Sequence, residues 1–425
     1  MLRHLCPFIF ALLSTSVLSG ADWTVFYGPR GDSKSPDTGL LQQWPPGGPK
    51  LLWSIDTIGF GWSGVSIAED KIYTSGNIGD FAMVFCLDQN GKEIWSKDNG
   101  PAAHTAAKDY PQARGTQSYP GTRGTPAIDG KTVYDVSALG EVTCYDAKTG
   151  DKKWNRNLLK EYNAPMPMWI LGHSIVIDGD HIICMVGGTK ALAVALNKKT
   201  GKTEKTFANP STNPTGFATP YFFEFEGIRV LALMTSGTVE GYDATSAEHL
   251  FSIPWRNRTG TNVTMPIYRE GHLFLSSGYG FGAKGFKLMK NADGTIKPEE
   301  LWYEQKFDNH HHGLVLVGDY VYGTSSGGSW FAINFLTGEV GFSVRPKDAA
   351  EQSAVHYADG LIYALTQDSR TVILWEPNPK EFIERGRFVL PNEAEGKSWA
   401  HPVVLNGKLY LRHAQYLYCY DVKAE

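Results

Sequence analysis

The chain has 425 residues and a formal charge of −4, and its 46 glycines accompany 20 tyrosines, 21 phenylalanines and 12 tryptophans with only 20% charged residues. A composition so rich in turn formers and aromatics fits an all-β fold rather than a helical one. There is no basic surplus to hold a phosphate backbone, so nucleic acid is excluded as an expected partner.

In chain order, Arg3 and His4 precede an apolar run from Leu5 to Leu18, and Ser19-Gly20-Ala21 supplies the small residues that a signal peptidase reads. Residues 1–21 therefore read as a signal peptide cleaved after Ala21, and the mature chain as exported, periplasmic or secreted. No second apolar run of about 20 residues follows, so no transmembrane segment is expected. Residues 22–50 are dense in Pro and Gly yet carry Trp23, Phe26, Tyr27 and Trp44. A solvated linker would not hold four aromatics, so this segment reads as a strap packed on the body.

From residue 51 the sequence repeats itself. The clearest copy is Thr125 to Trp154, in which short apolar strands are joined by Asp129-Gly130, by Gly140 and by a turn ending at Gly150. Turn glycines recur at Gly130, Gly179, Gly227, Gly271, Gly318, Gly360 and Gly407. Their spacing of roughly 42 to 49 residues suits a four-stranded propeller blade. The last copy stops after Tyr420-Asp421 without its fourth strand, while Lys50 to Ile55 stands alone before the first copy. Joining the two completes a blade and removes free sheet edges. Residues 51–425 are thus expected to form one monomeric, all-β, eight-bladed β-propeller of four-stranded antiparallel blades, closed by its N-terminal strand. Seven blades are the alternative if two copies merge.

Four cysteines follow the signal. Cys86, Cys144 and Cys419 occupy one repeat position, and equivalent positions in packed sheets lie about 10 Å apart, too far for a disulfide. Buried thiols are expected there and at Cys184.

The motif A-x-D-A-x-T-G-K-x-x-W, present as Cys144 to Trp154 and Cys86 to Trp95, resembles the tryptophan-docking repeats of the pyrroloquinoline-quinone-type β-propellers. That superfamily includes the quinoprotein alcohol dehydrogenases and the BamB-like outer-membrane assembly factors, and the N-terminal W-x-x-F-x-G-P-x-G is similar to the leader of exported members. The resemblance implies a propeller whose repeated tryptophans are structural. Trp53, Trp95, Trp154 and Trp302 are expected to lie on the next blade's turn glycine and lock blade to blade. In the dehydrogenases it further implies a quinone held between a tryptophan and a disulfide of adjacent cysteines, with a calcium ion and a catalytic Asp. This sequence has no Cys-Cys pair, and no carboxylates can be assigned to a calcium site, so quinone and calcium are not expected.

Aligning the copies on their turn glycines brings His173, His312 and His401 to one register, at the start of the innermost strand and facing one mouth of the channel. Trp62, Trp169 and Trp399 stand just upstream of inner strands, and His310 and His311 adjoin His312. Such residues could form a ligand pocket, bind zinc or copper, or simply plug the funnel. The insertion from Asn99 to Gly121 could bring His104, Arg114 and Tyr119 over the mouth. Asn257 and Asn262 each begin a glycan-acceptor tripeptide. No nucleophile elbow, phosphate loop or readable carboxylate pair appears. The reading is a non-catalytic binding or scaffolding module for a protein, peptide or glycan. The alternative is an exported oxidoreductase or other enzyme using the His/Trp mouth with a quinone or metal cofactor.

Overall fold

Two-residue turns between the first and second strands set the repeat. Glu226-Gly227, Glu270-Gly271, Asp359-Gly360 and Asn406-Gly407 take positive φ at both residues. That is the type I′ geometry whose twist matches a tight antiparallel hairpin. In the computed structural model, which describes residues 22–391 and 393–425, these hairpins extend into eight separate four-stranded antiparallel sheets. Seven are contiguous in sequence and span 66–101, 127–157, 176–207, 221–254, 267–304, 315–344 and 353–389. The eighth joins Val403–Leu405, Lys408–His413 and Tyr416–Asp421 to Lys50–Ile55. The fold is an all-β eight-bladed propeller, closed as the truncated last repeat requires; the seven-blade alternative falls. The proposed signal peptide lies outside the described residues.

The apolar core is divided among the contacts between blades. Eight buried clusters each join one pair of neighbours, for example Tyr73, Cys86 and Trp95 of blade one with Val133 and Tyr145 of blade two. In every blade but the seventh the outer pair of strands is built alike. A small residue faces a large one across the ladder, as in Cys86 with Trp95, Cys144 with Trp154, Gly285 with Trp302, Ala332 with Phe342 and Cys419 with Trp53. A bulge follows at once and turns the large side chain toward the next blade.

The four tryptophans reach the glycine in the next blade's last turn. Trp95 packs on Gly150, Trp154 on Gly201, Trp302 on Gly338 and, across the closure, Trp53 on Gly91. All four glycines have positive φ, and a Cβ on any of them would overlap the indole. The turn is thus the one between third and fourth strands, two turns later than the glycines that mark the repeat. Three of the indoles also donate to turn carbonyls, Trp53 to Gln89 at 2.9 Å, Trp95 to Ala147 at 3.1 Å and Trp154 to Lys198 at 3.0 Å. Blade three has Lys205 in this position, and its ammonium donates to the Ala244 carbonyl at 2.9 Å.

Blade seven inverts the pattern, with Leu374 opposite Gly386. The room above Gly386 is filled by Trp44 of the strap, which packs against Tyr363 and Phe388. Elsewhere the strap does more than lie on the body. Trp23 exchanges two 2.8 Å hydrogen bonds with Ile67, the Thr24 carbonyl accepts from Ile128, and Ser33 and Ser35 bracket Tyr357. These partners sit on the inner strands of blades one, two and seven, while Tyr27 packs in the cluster of Tyr221 and Phe223 in blade four. The strap therefore crosses the central channel and closes it.

Arg412 ties the last blade to the first. Only 2% exposed, it donates to the carbonyls of Gly59 and Ser63 at 3.0 and 3.1 Å, to the Thr74 hydroxyl at 3.0 Å and to the Ser75 carbonyl. The four cysteines are free and buried.

Candidate functional site

Closing the channel from one side leaves a funnel on the other. Its floor is Phe26 and Tyr27 of the strap, and its wall is made by segments that enter successive inner strands, enclosing about 290 Å³. Tyr27 can reach this position because Gly313 offers no side chain; a Cβ there would overlap both the Tyr27 hydroxyl and His401. A second cavity of about 160 Å³ lies beyond Tyr27, bounded by Lys34, Tyr221 and Arg269.

The structure brings together Trp62, Trp169, Trp399 and His401 of the expected mouth residues. The rings of Trp62 and Trp399 are 4.7 Å apart, and Tyr119 lies 5.0 Å from Trp399 and 6.0 Å from Trp169. Indole N–H bonds fix two of them, Trp62 to the Lys397 carbonyl at 3.0 Å and Trp399 to the Gln367 amide oxygen at 2.9 Å. His173 and His312 do not line the cavity. Their rings are buried within the wall, 1% and 0% exposed, with both ring nitrogens lacking a hydrogen-bond partner. His310 and His311 line it instead, next to His312 in sequence but turned inward.

The histidines pack edge to face or tilted against one another. His311 lies 4.2 Å from His310, 4.1 Å from His312 and 4.6 Å from Trp399. Among the described residues no group of three or more His, Cys, Asp or Glu side chains is arranged to hold a metal. Burial pulls His310 and His401 down to about 4, and holds His311 well below the ordinary range, with His312 and His310 adding to the effect. The imidazoles are therefore neutral near pH 7, each offering one donor and one acceptor.

Of the insertion residues, Tyr119 reaches the cavity, whereas His104 turns to Asp80 at 3.0 Å on the surface and Arg114 precedes a short helix. Residue-by-residue reading missed Arg123, which follows the insertion and lines the funnel with its guanidinium 5.6 Å from the Trp62 ring. Among the described residues the lining includes no Asp or Glu. The donor set for a calcium ion, and a carboxylate base beside a quinone, are thus not in this lining, and the four cysteines lie in the blades. The residues do not fit that group.

Two other features lose their chemical appeal. His249, Ser252 and Glu240 meet on blade four, where the Glu240 carboxylate takes both the Ser252 hydroxyl and, at 2.8 Å, the His249 Nε2, but none of the three lines the cavity. Asn257 and Asn262 are 1% and 0% exposed, and their amides are spent on Thr261, Ser277, Thr235 and Trp255, which leaves nothing for glycan transfer in the folded chain.

A family profile described as "Outer membrane protein assembly factor BamB" matches residues 80–344, more than half of the chain. The chain belongs to this PQQ-like, BamB-like propeller family. Among solved structures, BamB from Moraxella catarrhalis aligns with TM-score 0.59 at 15% identity, covering 88% of this chain and 99% of its own. A quinohemoprotein alcohol dehydrogenase from Comamonas testosteroni aligns with TM-score 0.61 at 10% identity over 95% and 81%. The computationally designed Ika8 protein gives 0.59 at 9% identity over 88% and 100%. At such identities these BamB-like and quinoprotein propellers share the fold alone. No curated protein matches the sequence.

Proposed function

We propose that this propeller is an exported, non-catalytic binding module whose functional surface is the aromatic funnel mouth. One observation carries the reading: a cavity of about 290 Å³ walled by Trp62, Trp169 and Trp399, with buried ring nitrogens of His311 and His401 left without partners. Buried polar atoms rarely remain unpaired, and here they line a concave apolar site, the setting in which ligands are bound. Export is supported by the pattern of residues 1–21. The competing oxidoreductase needs carboxylates or converging ligands that this lining lacks.

The test is ligand screening of the full mature chain by thermal shift and intrinsic tryptophan fluorescence. An organic ligand is expected to raise Tm and quench the mouth indoles, and Trp399→Ala should abolish both responses. A Tm rise specific to quinone with calcium, or to zinc or copper, would overturn the reading in favour of the enzyme.

A further inference from the structure

Two arginines are drawn into the propeller, Arg412 buried and Arg123 half-buried, and they are provided for differently. Arg412 has its charge surrounded by acceptors, with carbonyls of Gly59, Ser63, Ser75 and Ala414 and the Thr74 hydroxyl taking all three nitrogens. Nothing is left over, and its role is to hold blades eight and one together. Arg123 donates only to the carbonyls of Trp169 and Tyr119, and its Nε is buried without a partner. Among the described residues it makes no salt bridge. Desolvation alone pulls its guanidinium down to about 9, with no carboxylate opposing.

A partly buried cation with no counter-charge and an incomplete set of acceptors is costly, and a group from outside the chain can complete it. Arg123 opens onto the funnel, whose described lining has no acid to neutralise it and whose histidines are neutral. We propose that the mouth cavity selects a small organic carboxylate, with Arg123 as its anion-recognition residue and Trp62, Trp169 and Trp399 as walls for a ring-shaped body. This rests on the ligand-binding reading above and narrows it to a chemical class.

Three constraints fix the class. The planar guanidinium pairs a carboxylate through two parallel hydrogen bonds, and a lone cation matches a single negative charge. The volume of about 290 Å³ admits one or two rings, which rules out a polymer held along its length. The remaining donors, His311 and His401, are imidazole N–H groups that suit oxygens on the same ligand. An aromatic acid and a sugar acid share this chemistry.

Matched pairs separate the sources. Calorimetric titration of the full mature chain would use indole-3-acetate against indole-3-acetamide for the aromatic source, and glucuronate against glucose for the sugar source. In at least one pair the acid is expected to bind about 10- to 100-fold more tightly than its neutral partner. Arg123→Gln, which keeps an amide donor for the Trp169 and Tyr119 carbonyls, should erase that preference. Arg123→Lys should retain it with weaker affinity, and it carries the comparison if the Gln variant loses its β-sheet circular dichroism. An acid preference that survives in Arg123→Gln would overturn the proposal, as would failure of both acids to bind. Equal binding of acid and neutral partner would also overturn it, while leaving the mouth as a binding site.

Discussion

At the perimeter of the ring every blade but the seventh meets the next through the same two positions, whereas at the mouth almost every blade contributes something different. The perimeter slot recurs as Cys or Ala opposite Trp or Phe, followed by a bulge, because each interface has the same geometric task. The mouth receives Trp62 from one approach segment, Arg123 from another, His310 and His311 from a third and Trp399 with His401 from a fourth. Repetition marks what the fold needs; departure from it marks what the fold does not need. That difference is the physical ground for placing function at the mouth.

The largest expected effect breaks the comparison by acid. His173, His310 and His401 are pulled to about 4 by burial, and His356 to about 3, from an ordinary 6.5. A base whose folded pKa is depressed contributes stability that is present above about 6.5 and lost as pH falls toward 4, at about 1.4 kcal/mol per unit for each group. Buried Asp135 works in the opposite sense. Its carboxyl is raised to about 7, so its protonated form stabilises the fold at low pH and that contribution is lost as pH rises from about 4 to 7. Several histidines oppose one aspartate, so Tm should fall steeply between pH 6.5 and 4. His173→Gln should shift this acid transition to lower pH; an unchanged midpoint would show that the wall histidines do not control it.

Next in size are the perimeter and the closure. Trp95 is 6% exposed, and Trp95→Ala should cost about 3–5 kcal/mol in denaturant unfolding. Arg412→Met strands buried carbonyls and should cost a similar ~3–5 kcal/mol. Trp399 is only partly buried and belongs to none of the eight buried clusters between blades, so Trp399→Ala should cost less than half as much while removing ligand responses. If Trp399→Ala proved as destabilising as Trp95→Ala, the mouth would belong to the scaffold and the comparison would fail.

The strap joins both regions and is where sequence and structure diverge most. Its packing was legible from four aromatics in a Pro/Gly-rich stretch, and the eight-blade closure from a repeat missing its last strand. That it crosses the channel was not legible, because its hydrogen bonds go to Ile67, Ile128 and Tyr357, far apart in sequence and marked out only by sharing one place in the inner strands of three blades. Nor was Trp44 recognisable as blade seven's docking ring, since it lies more than 300 residues from Gly386. Of the histidine register only His401 lines the cavity: a residue's place before an inner strand says which blade it enters from, while Gly313 and the strap decide which side chain is admitted. Arg123 carried a usable signal, an arginine among aromatics at the end of the longest insertion. Trp44→Ala should therefore cost about 2–4 kcal/mol despite lying outside the repeats.

The smallest effect is the most specific test of the perimeter rule. In blade three Lys205 stands where every other blade but the seventh carries Trp or Phe, and its ammonium reaches the Ala244 carbonyl much as Trp95 reaches Ala147. A lysine keeps the hydrogen bond but gives up most of the ring's apolar contact, and it costs side-chain entropy to hold. Facing it is Ala195, small like the cysteines opposite Trp95 and Trp154, so the slot has the shape for an indole. Lys205→Trp should then be neutral to stabilising by about 0.5–1 kcal/mol, read as a Tm rise of a few degrees with ligand affinity unchanged. Lys205→Ala, which removes both stem and ammonium, should lower stability by about 1 kcal/mol. A clear loss of stability on installing tryptophan would mean that blade three docks by a different geometry, and that the interfaces other than blade seven's are not copies of one solution.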